Sequence, residues 1–319
     1  MVNSLRRRIL RATALAALIV LAGWFIFTQV NNDGSTPAIL ATALAPWIPV
    51  GAAVTAVVAL IARARLYAAL SLVLVLFAGI TFAVFPQWPA AIPADAPRIT
   101  VFALNAYVQS ADATSVIDAI RDADPDVVML SEMGDINRAA YIEAGLAEMY
   151  PYSYFVDDEL WLSGGDIWSK TPLANPRRIE GGTFPLLAAE TTVNGVTVTV
   201  VSSHMYSPLS NRDRWRADHL ALGDFVASMA GSNLIIGGDF NASRGHGPFD
   251  SVRNAGLIDA AEQTLWGFQR TSWPHEPVPL PVLTLDHVLA SDNFVVESTE
   301  FYEVAGTDHR AIVARLALP

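Results

Sequence analysis

The residues of this sequence best suited to chemistry stand at the ends of apolar runs. Asn105 closes VFALN, Glu132 closes VVMLSE, His204 closes VVSSH, Asp239 and Asn241 follow LIIGG, and Asp286 follows LTL. Asp308 and His309 precede the run AIVARL. An apolar run that ends on a polar residue reads as a strand delivering that side chain to the rim of a sheet, where a rigid scaffold can aim it into a cleft. One such residue alone is more often a cap or a turn former; six such places together describe a site. Glu132, Asp239, Asp308 and Asn105 are hard oxygen donors, two imidazoles join them, and the chain has no cysteine. That donor set suits Mg2+ or Mn2+ better than zinc. Around such an ion, one carboxylate or imidazole can take a proton from water while another protonates a leaving oxygen, which is what hydrolysis of a phosphate ester requires. No Gly-rich phosphate loop, G-x-S-x-G elbow or H-E-x-x-H pair directs the chemistry elsewhere.

Alternating strands and helices must position these ends. β-Branched runs predict strands over 99–106, 126–132, 186–193, 196–203, 234–240, 283–290 and 311–316. Asn194-Gly195 between two Thr/Val runs predicts a two-residue hairpin. Helices fit 114–123, 137–149 and 212–229, the last with Trp215, Leu220, Leu222, Phe225 and Val226 facing a core. A mixed-sheet α/β sandwich follows for residues 98–319.

In the order LNAY, LSEM, SSH, GGDFNA, LDHVL, GTDHR, this region resembles the endonuclease/exonuclease/phosphatase superfamily of metal-dependent phosphoesterases. The resemblance implies a four-layer α/β sandwich of two packed β-sheets, the DNase I-like fold, with the active site at one end. By position, Glu132 resembles the metal-binding glutamate, with Asn105 and Asp308 close to the metal. Asp239 and Asn241 resemble the pair that positions the attacking water and the phosphate, and Asp286 and His309 resemble a carboxylate–imidazole pair. His204 matches the histidine of the DNase I-like, sphingomyelinase-like and inositol-phosphatase-like branches, which implies acid catalysis or phosphate contact. Asp166, in GGDIWSK, is a candidate carboxylate partner for it. Tyr107 and His246 lie near the motifs as further substrate or supporting candidates, and Trp161, Trp168, Trp266 and Trp273 are candidate rim residues. His287 follows Asp286 on a strand, so alternation turns it to the opposite face, and His219 within a helix reads as structural.

The first 97 residues differ in kind. They carry six arginines against two aspartates, a net of +4, while residues 98–319 carry 14 basic and 29 acidic residues, a net of −15. Apolar runs over 9–28, 38–62 and 66–85 each approach the roughly 20 residues of a bilayer span. They predict a three-span anchor over 1–85, followed by a Pro-rich linker over 86–97 and the catalytic domain over 98–319. Arg6, Arg7, Arg8, Arg11, Arg63 and Arg65 stand on one side of those spans, which puts them in the cytoplasm and the large domain outside. A cleaved signal peptide is the competing reading of the first run. Both readings export the domain.

Three functions fit: an anchored phosphatase or pyrophosphatase, an extracytoplasmic nuclease, and a silent binding domain. A net of −15 with a single lysine, Lys170, argues against a nucleic-acid partner, and the complete set of strand-end groups argues against silence. Anchoring favours a lipid-linked phosphate held at the same bilayer. The architecture, with TSWP, LDHVLAS and GTDHRAIVARL, is similar to the VanJ-like membrane proteins of Gram-positive bacteria, which implies an undecaprenyl-pyrophosphate-like substrate.

Overall fold

The computed structural model describes residues 2–30, 33–85, 91–157, 163–263, 272–276 and 281–319. The start of the predicted linker (86–90), Trp161 and Trp266 lie outside them. The chain forms two compact units, Met1–Phe85 with Arg244–Gly247, and Pro86–Ser243 with Pro248–Pro319.

The first unit holds α1 (Val2–Val30), α2 (Thr36–Ala43), α3 (Ile48–Ile61) and α4 (Arg65–Thr81). Among the described residues only α1, over Ser4–Val30, is by itself long and apolar enough to cross a bilayer. The three-span expectation is corrected accordingly. The second apolar run is two helical pieces, Thr36–Ala43 and Ala45–Ile61, bent by 42°. Pro46 has no N–H to donate, and it sits in the 3-10 turn Ala45–Trp47 at that break. The third run gives a helix of 17 residues, flanked by left-handed turns at Arg63 (φ 57°) and Ala83 (φ 48°). An apolar helix like α1 meets the requirements of a membrane anchor or of a signal sequence.

The second unit is built on two six-stranded sheets. The first contains β1 (Arg98–Asn105), β2 (Val127–Met133), β3 (Tyr152–Val156), β4 (Gly164–Ser169), β11 (Val295–Tyr302) and β12 (Ala311–Ala317), in the order β11-β12-β1-β2-β4-β3. The second contains β5 (Ala174–Ile179), β6 (Leu186–Val193), β7 (Val196–His204), β8 (Leu234–Asp239), β9 (Leu257–Asp259) and β10 (Asp286–Ser291), in the order β5-β6-β7-β8-β10-β9. Each sheet has one parallel pair at its centre, β1 with β2 and β7 with β8. Helices α5 (Ala113–Ala123) and α8 (Arg212–Ser228) make the two crossovers.

The inner faces meet in one apolar layer, with Val101, Ala103, Val127 and Met129 opposite Leu187, Val200, Ile235 and Val288. Gly237 lets them close: a Cβ there would lie 2.4 Å from Met129 Cε and 3.1 Å from Ala103 Cβ. On the outer face of the first sheet, Val116, Ile117 and Ile120 of α5 pack on Phe102, Leu104 and Val128. The expected two-sheet sandwich with flanking helices is the observed architecture. The helix expected over 137–149 is two, α6 (Asp135–Glu143) and α7 (Leu146–Met149), because Gly145 takes φ +106° between them. The strand expected over 283–290 in the second sheet starts at Asp286, since Leu283 forms an isolated bridge with Trp273.

Candidate active site

The carboxyl ends of the two parallel pairs bring the strand-end residues together. Asn105 ends β1, Glu132 lies near the end of β2, and His204 and Asp239 are register partners at the ends of β7 and β8. Glu132 owes its direction to a distortion. It stands at a register shift between Ser131 and Met133, with φ +56°, and a bulge of this kind re-aims a side chain relative to simple alternation. The glycine before Asp239 is equally constrained: Gly238 has φ +142°, and a Cβ on it would lie 2.0 Å from Ser203 O.

Asn105 is the hub of the first half of the site. Its Nδ2 donates to Glu132 Oε1 and to Asp239 Oδ2, both at 3.0 Å, and its Oδ1 accepts from Tyr107 N at 2.9 Å. Glu132 Oε2 accepts from Val108 N at 2.6 Å. The loop providing those N–H groups holds Tyr107, Val108 and Gln109 in left-handed conformations, a strained run of the kind that collects at functional sites. Tyr107 thus contributes its backbone here, while its side chain is exposed. Asp239 Oδ1 accepts from Asn241 N at 2.7 Å, and Asn241 Nδ2 donates to Met205 O at 3.0 Å and to Asp239 Oδ2 at 3.2 Å. His204 Nε2 faces Glu132 Oε1 at 3.4 Å and Asp239 Oδ2 at 4.0 Å.

The second half is the Asp286–His309 pair. His309 Nδ1 lies 2.7 Å from Asp286 Oδ2, and its Nε2 faces Asp308 Oδ1 at 3.7 Å and Asp239 Oδ2 at 3.8 Å. Burial opposes charge on the His309 ring, but Asp286, Asp239 and Asp308 outweigh it and raise the ring to about 10. Burial also pushes the Asp239 carboxyl up to about 6, with His309 pulling against it and Asp286 adding to it. Asp239, Asp286 and His309 are all buried, with ligand-capable atoms within 4.8 Å of one another.

Thr307 and Ser272 were not legible in the sequence as parts of the site, and Trp273, expected at its rim, joins them as a support. Trp273 Nε1 donates to Asp308 Oδ2 at 2.9 Å. Thr307 Oγ1 donates to Asn105 O at 2.9 Å and accepts from His309 N at 3.1 Å, tying the two halves together. Ser272 Oγ accepts from Asp286 N at 3.1 Å. The T-D-H spacing was the one signal available for Thr307.

Two candidates are placed elsewhere. Asp166 is not the partner of His204. It is fully buried in a two-point pair with Arg138, Oδ2 to Nε and Oδ1 to Nη2, both at 2.9 Å, and also accepts from Trp168 Nε1 at 3.0 Å. A carboxylate buried on a strand needs such neutralisation, and Arg138 on α6 supplies it. His246 belongs to the segment counted with the first unit, where it is buried with Nε2 3.0 Å from Ile39 O. His287 and His219 are structural as expected. His287 bonds Asp259 and Ala242 O, and His219 Nδ1 bonds Trp215 O at 2.8 Å.

Two mixed sheets with carboxylates, amides and imidazoles gathered at the ends of their parallel strands define a phosphoesterase-type sandwich. The chain belongs to the Endonuclease/Exonuclease/phosphatase family, which matches residues 102–309. Members of that superfamily are hydrolases acting on phosphoester bonds. An endonuclease/exonuclease/phosphatase from Beutenbergia cavernae is similar at TM-score 0.54 and 20% identity, covering 70% of this chain and 72% of that one. A humanised TDP2 of D. rerio is similar at 0.53 and 17%, covering 69% and 98%. A family protein from Bacteroides thetaiotaomicron is similar at 0.56 and 14%, covering 70% and 99%. At these identities the likeness shows the DNase I-like fold. A search of curated proteins finds no match.

Proposed function

We propose that this protein is a divalent-metal-dependent phosphoester hydrolase acting on a lipid-linked phosphate or pyrophosphate at the outer face of a membrane. The observation that carries the catalytic part is the surroundings of Asp239 Oδ2. Asn105 and Asn241 donate to it, and two imidazoles approach it, His204 at 4.0 Å and His309 at 3.8 Å.

The residues present fit Mg2+ or Mn2+. Glu132, Asp239 and Asp308 are hard oxygen donors, and Asp308 Oδ1 is buried without a hydrogen-bond partner among the described residues. Glu132 and Asp308 would hold the ion, and Asn105 spaces Glu132 from Asp239. A bound ion neutralises a phosphoryl oxygen and favours attack at phosphorus. Asp239, raised toward neutrality by burial, accepts the proton of the attacking water while the Asn241 amide holds that carboxylate in place. The charged His309, fixed through Nδ1 by Asp286, directs Nε2–H at the phosphoryl group. His204 gives its proton to the leaving oxygen as the P–O bond to the leaving group breaks and the bond to water forms.

The substrate class rests on the anchor, the charge and the VanJ-like resemblance. Helix α1 tethers the enzyme where a lipid-linked phosphate resides, raising its effective concentration. Arg6, Arg7, Arg8 and Arg11 lie in the first turns of that helix, and basic ends stay cytoplasmic, so the chain beyond one span emerges outside. The net of −15 after residue 97 works against a polyanionic nucleic acid. The test is phosphate release by the full-length protein from a panel of lipid pyrophosphates, phospholipids and DNA, with and without chelator. Lipid-phosphate turnover that chelation abolishes, Mg2+ or Mn2+ restores and Glu132→Gln lowers sharply is the expected result. Undiminished turnover in excess chelator refutes the metal requirement, and cleavage of DNA alone refutes the substrate class.

A further inference from the structure

His204 is held in an unusual way. Its Nε2 looks toward Glu132 and Asp239, yet its Nδ1 is buried without a hydrogen-bond partner among the described residues. A working histidine is normally oriented by the bond its other nitrogen makes. Here an aromatic ring occupies that role: Phe184 stacks on the imidazole with centroids 4.5 Å apart and planes 15° from parallel. The same Phe184 ring stacks on Tyr206, at 5.3 Å and 24°.

Phe184 lies in the loop between β5 and β6, and Tyr206 in the loop after β7, so the stack needs two separate segments held in register. One buried carboxylate of α8 does this. Asp218 Oδ1 accepts from Thr183 N and from Thr183 Oγ1, both at 2.7 Å, and its Oδ2 accepts from Tyr206 N at 2.8 Å. Each oxygen therefore pins the residue next to one ring or the backbone of the other. Helix α8 is anchored in turn through buried Trp215 and Leu222.

We propose that Phe184 is a positioning residue for His204, locked by Asp218, and that it fixes the plane of the imidazole so that Nε2 points at the Glu132–Asp239 gap. This rests on the reading of His204 as a proton donor to the leaving oxygen. Without the stack, the ring can turn about its Cβ–Cγ bond, and misplacement of a catalytic group by about 1 Å can cost on the order of 10²-fold in rate. The loss falls on kcat, because Phe184 orients the acid and does not bind the substrate.

The test has two readouts on the full-length protein. In histidine-labelled protein, with the His204 signals assigned by their loss in His204→Gln, the ring protons should show an upfield shift from Phe184. Phe184→Leu should remove that shift, and Phe184→Tyr should keep it. On the most rapidly cleaved member of the substrate panel, Phe184→Leu should lower kcat about 10- to 100-fold with KM unchanged, Phe184→Tyr should restore most of the rate, and Asp218→Asn should fall between. Unchanged His204 signals in Phe184→Leu, a normal rate in that variant, or a loss that Phe184→Tyr fails to recover each overturns the clamp. A normal rate in His204→Gln instead overturns the role of His204 itself, so the two failures are told apart.

Discussion

Asp286 Oδ2 and His309 Nδ1 lie 2.7 Å apart, joining the first residue of β10 in one sheet to the loop that enters β12 in the other. With Nδ1 committed to the carboxylate, Nε2 is left facing Asp239 and Asp308. The contact therefore keeps Nδ1 protonated and sets the aim of the imidazole. It also links the two sheets at the end where the site lies.

Replacing Asp286 by Asn keeps the shape of that contact but removes the charge that favours the His309 cation. We expect Asp286→Asn and His309→Ala each to lower kcat by about 10²-fold or more, the size of a lost proton-transfer or charge-stabilising group, with little change in KM. Steady-state kinetics on the same substrate decides. A change confined to KM would mean that the pair binds substrate without assisting the reaction.

The roles of the two site histidines separate by leaving group. A substrate whose leaving oxygen is strongly acidic needs no protonation, so it should rescue His204→Ala and leave His309→Ala slow. Rates measured over a series of phosphoesters of graded leaving-group acidity supply the comparison. Equal rescue of both variants, or of neither, removes the assignment of His204 as the acid.

The Arg138–Asp166 pair predicts a stability effect. Both side chains are buried, burial raises the Asp166 carboxyl against the pull of Arg138, and Arg138 also stacks on Phe155 at 4.2 Å. Asp166→Leu alone leaves a buried guanidinium without its main partner, which should cost about 3–5 kcal/mol. The double change Arg138→Met with Asp166→Leu should recover much of that. Thermal unfolding of the three proteins tests it. His204-dependent kinetics should be unaffected by the double change if it folds, since Asp166 does not orient that ring.

His287 predicts how stability varies with pH. Its Nδ1 meets Asp259 Oδ2 at 2.7 Å and its Nε2 meets Ala242 O at 2.9 Å, two acceptors, so both nitrogens donate and the ring is charged. Burial opposes that charge, but Asp259 prevails and the ring titrates above its ordinary value of 6.5. The folded value is raised, so the stabilisation is fully present below about pH 6.5 and is lost as pH rises through the folded value. The gap in melting temperature between the protein and its His287→Gln variant should therefore narrow from pH 6 toward pH 9. A gap that widens over that range would show that the ring is neutral in the folded state.

The local alternation of apolar and polar residues was enough to place the strands that carry the chemistry. Asn105, Glu132, His204, Asp239 and Asp286 all stand at ends of apolar runs because a buried strand must stop being apolar where it meets the cleft. The order of those ends in the chain was sufficient for the two-sheet sandwich and the family. Neither the buried β4 nor the three-residue β9 was legible, and the same holds for the edge strands β3, β5 and β11. They are half-exposed, with polar residues such as Arg177, Arg178, Glu297 and Glu300 among them, and their pairing comes from a neighbour already in place rather than from their own periodicity. The same distinction separates the partners of the charged groups. Asp286 could be matched to His309 by motif, but Asp166 could be given to Arg138 instead of His204 only once α6 lay against β4. The number of membrane spans also escaped composition, since an apolar run counts residues while Pro46 and the turns at Arg63 and Ala83 decide how many of them form one straight helix. Which side chains meet across a gap of a hundred residues depends on how sheets and helices pack, and that packing belongs to the whole chain rather than to any segment of it.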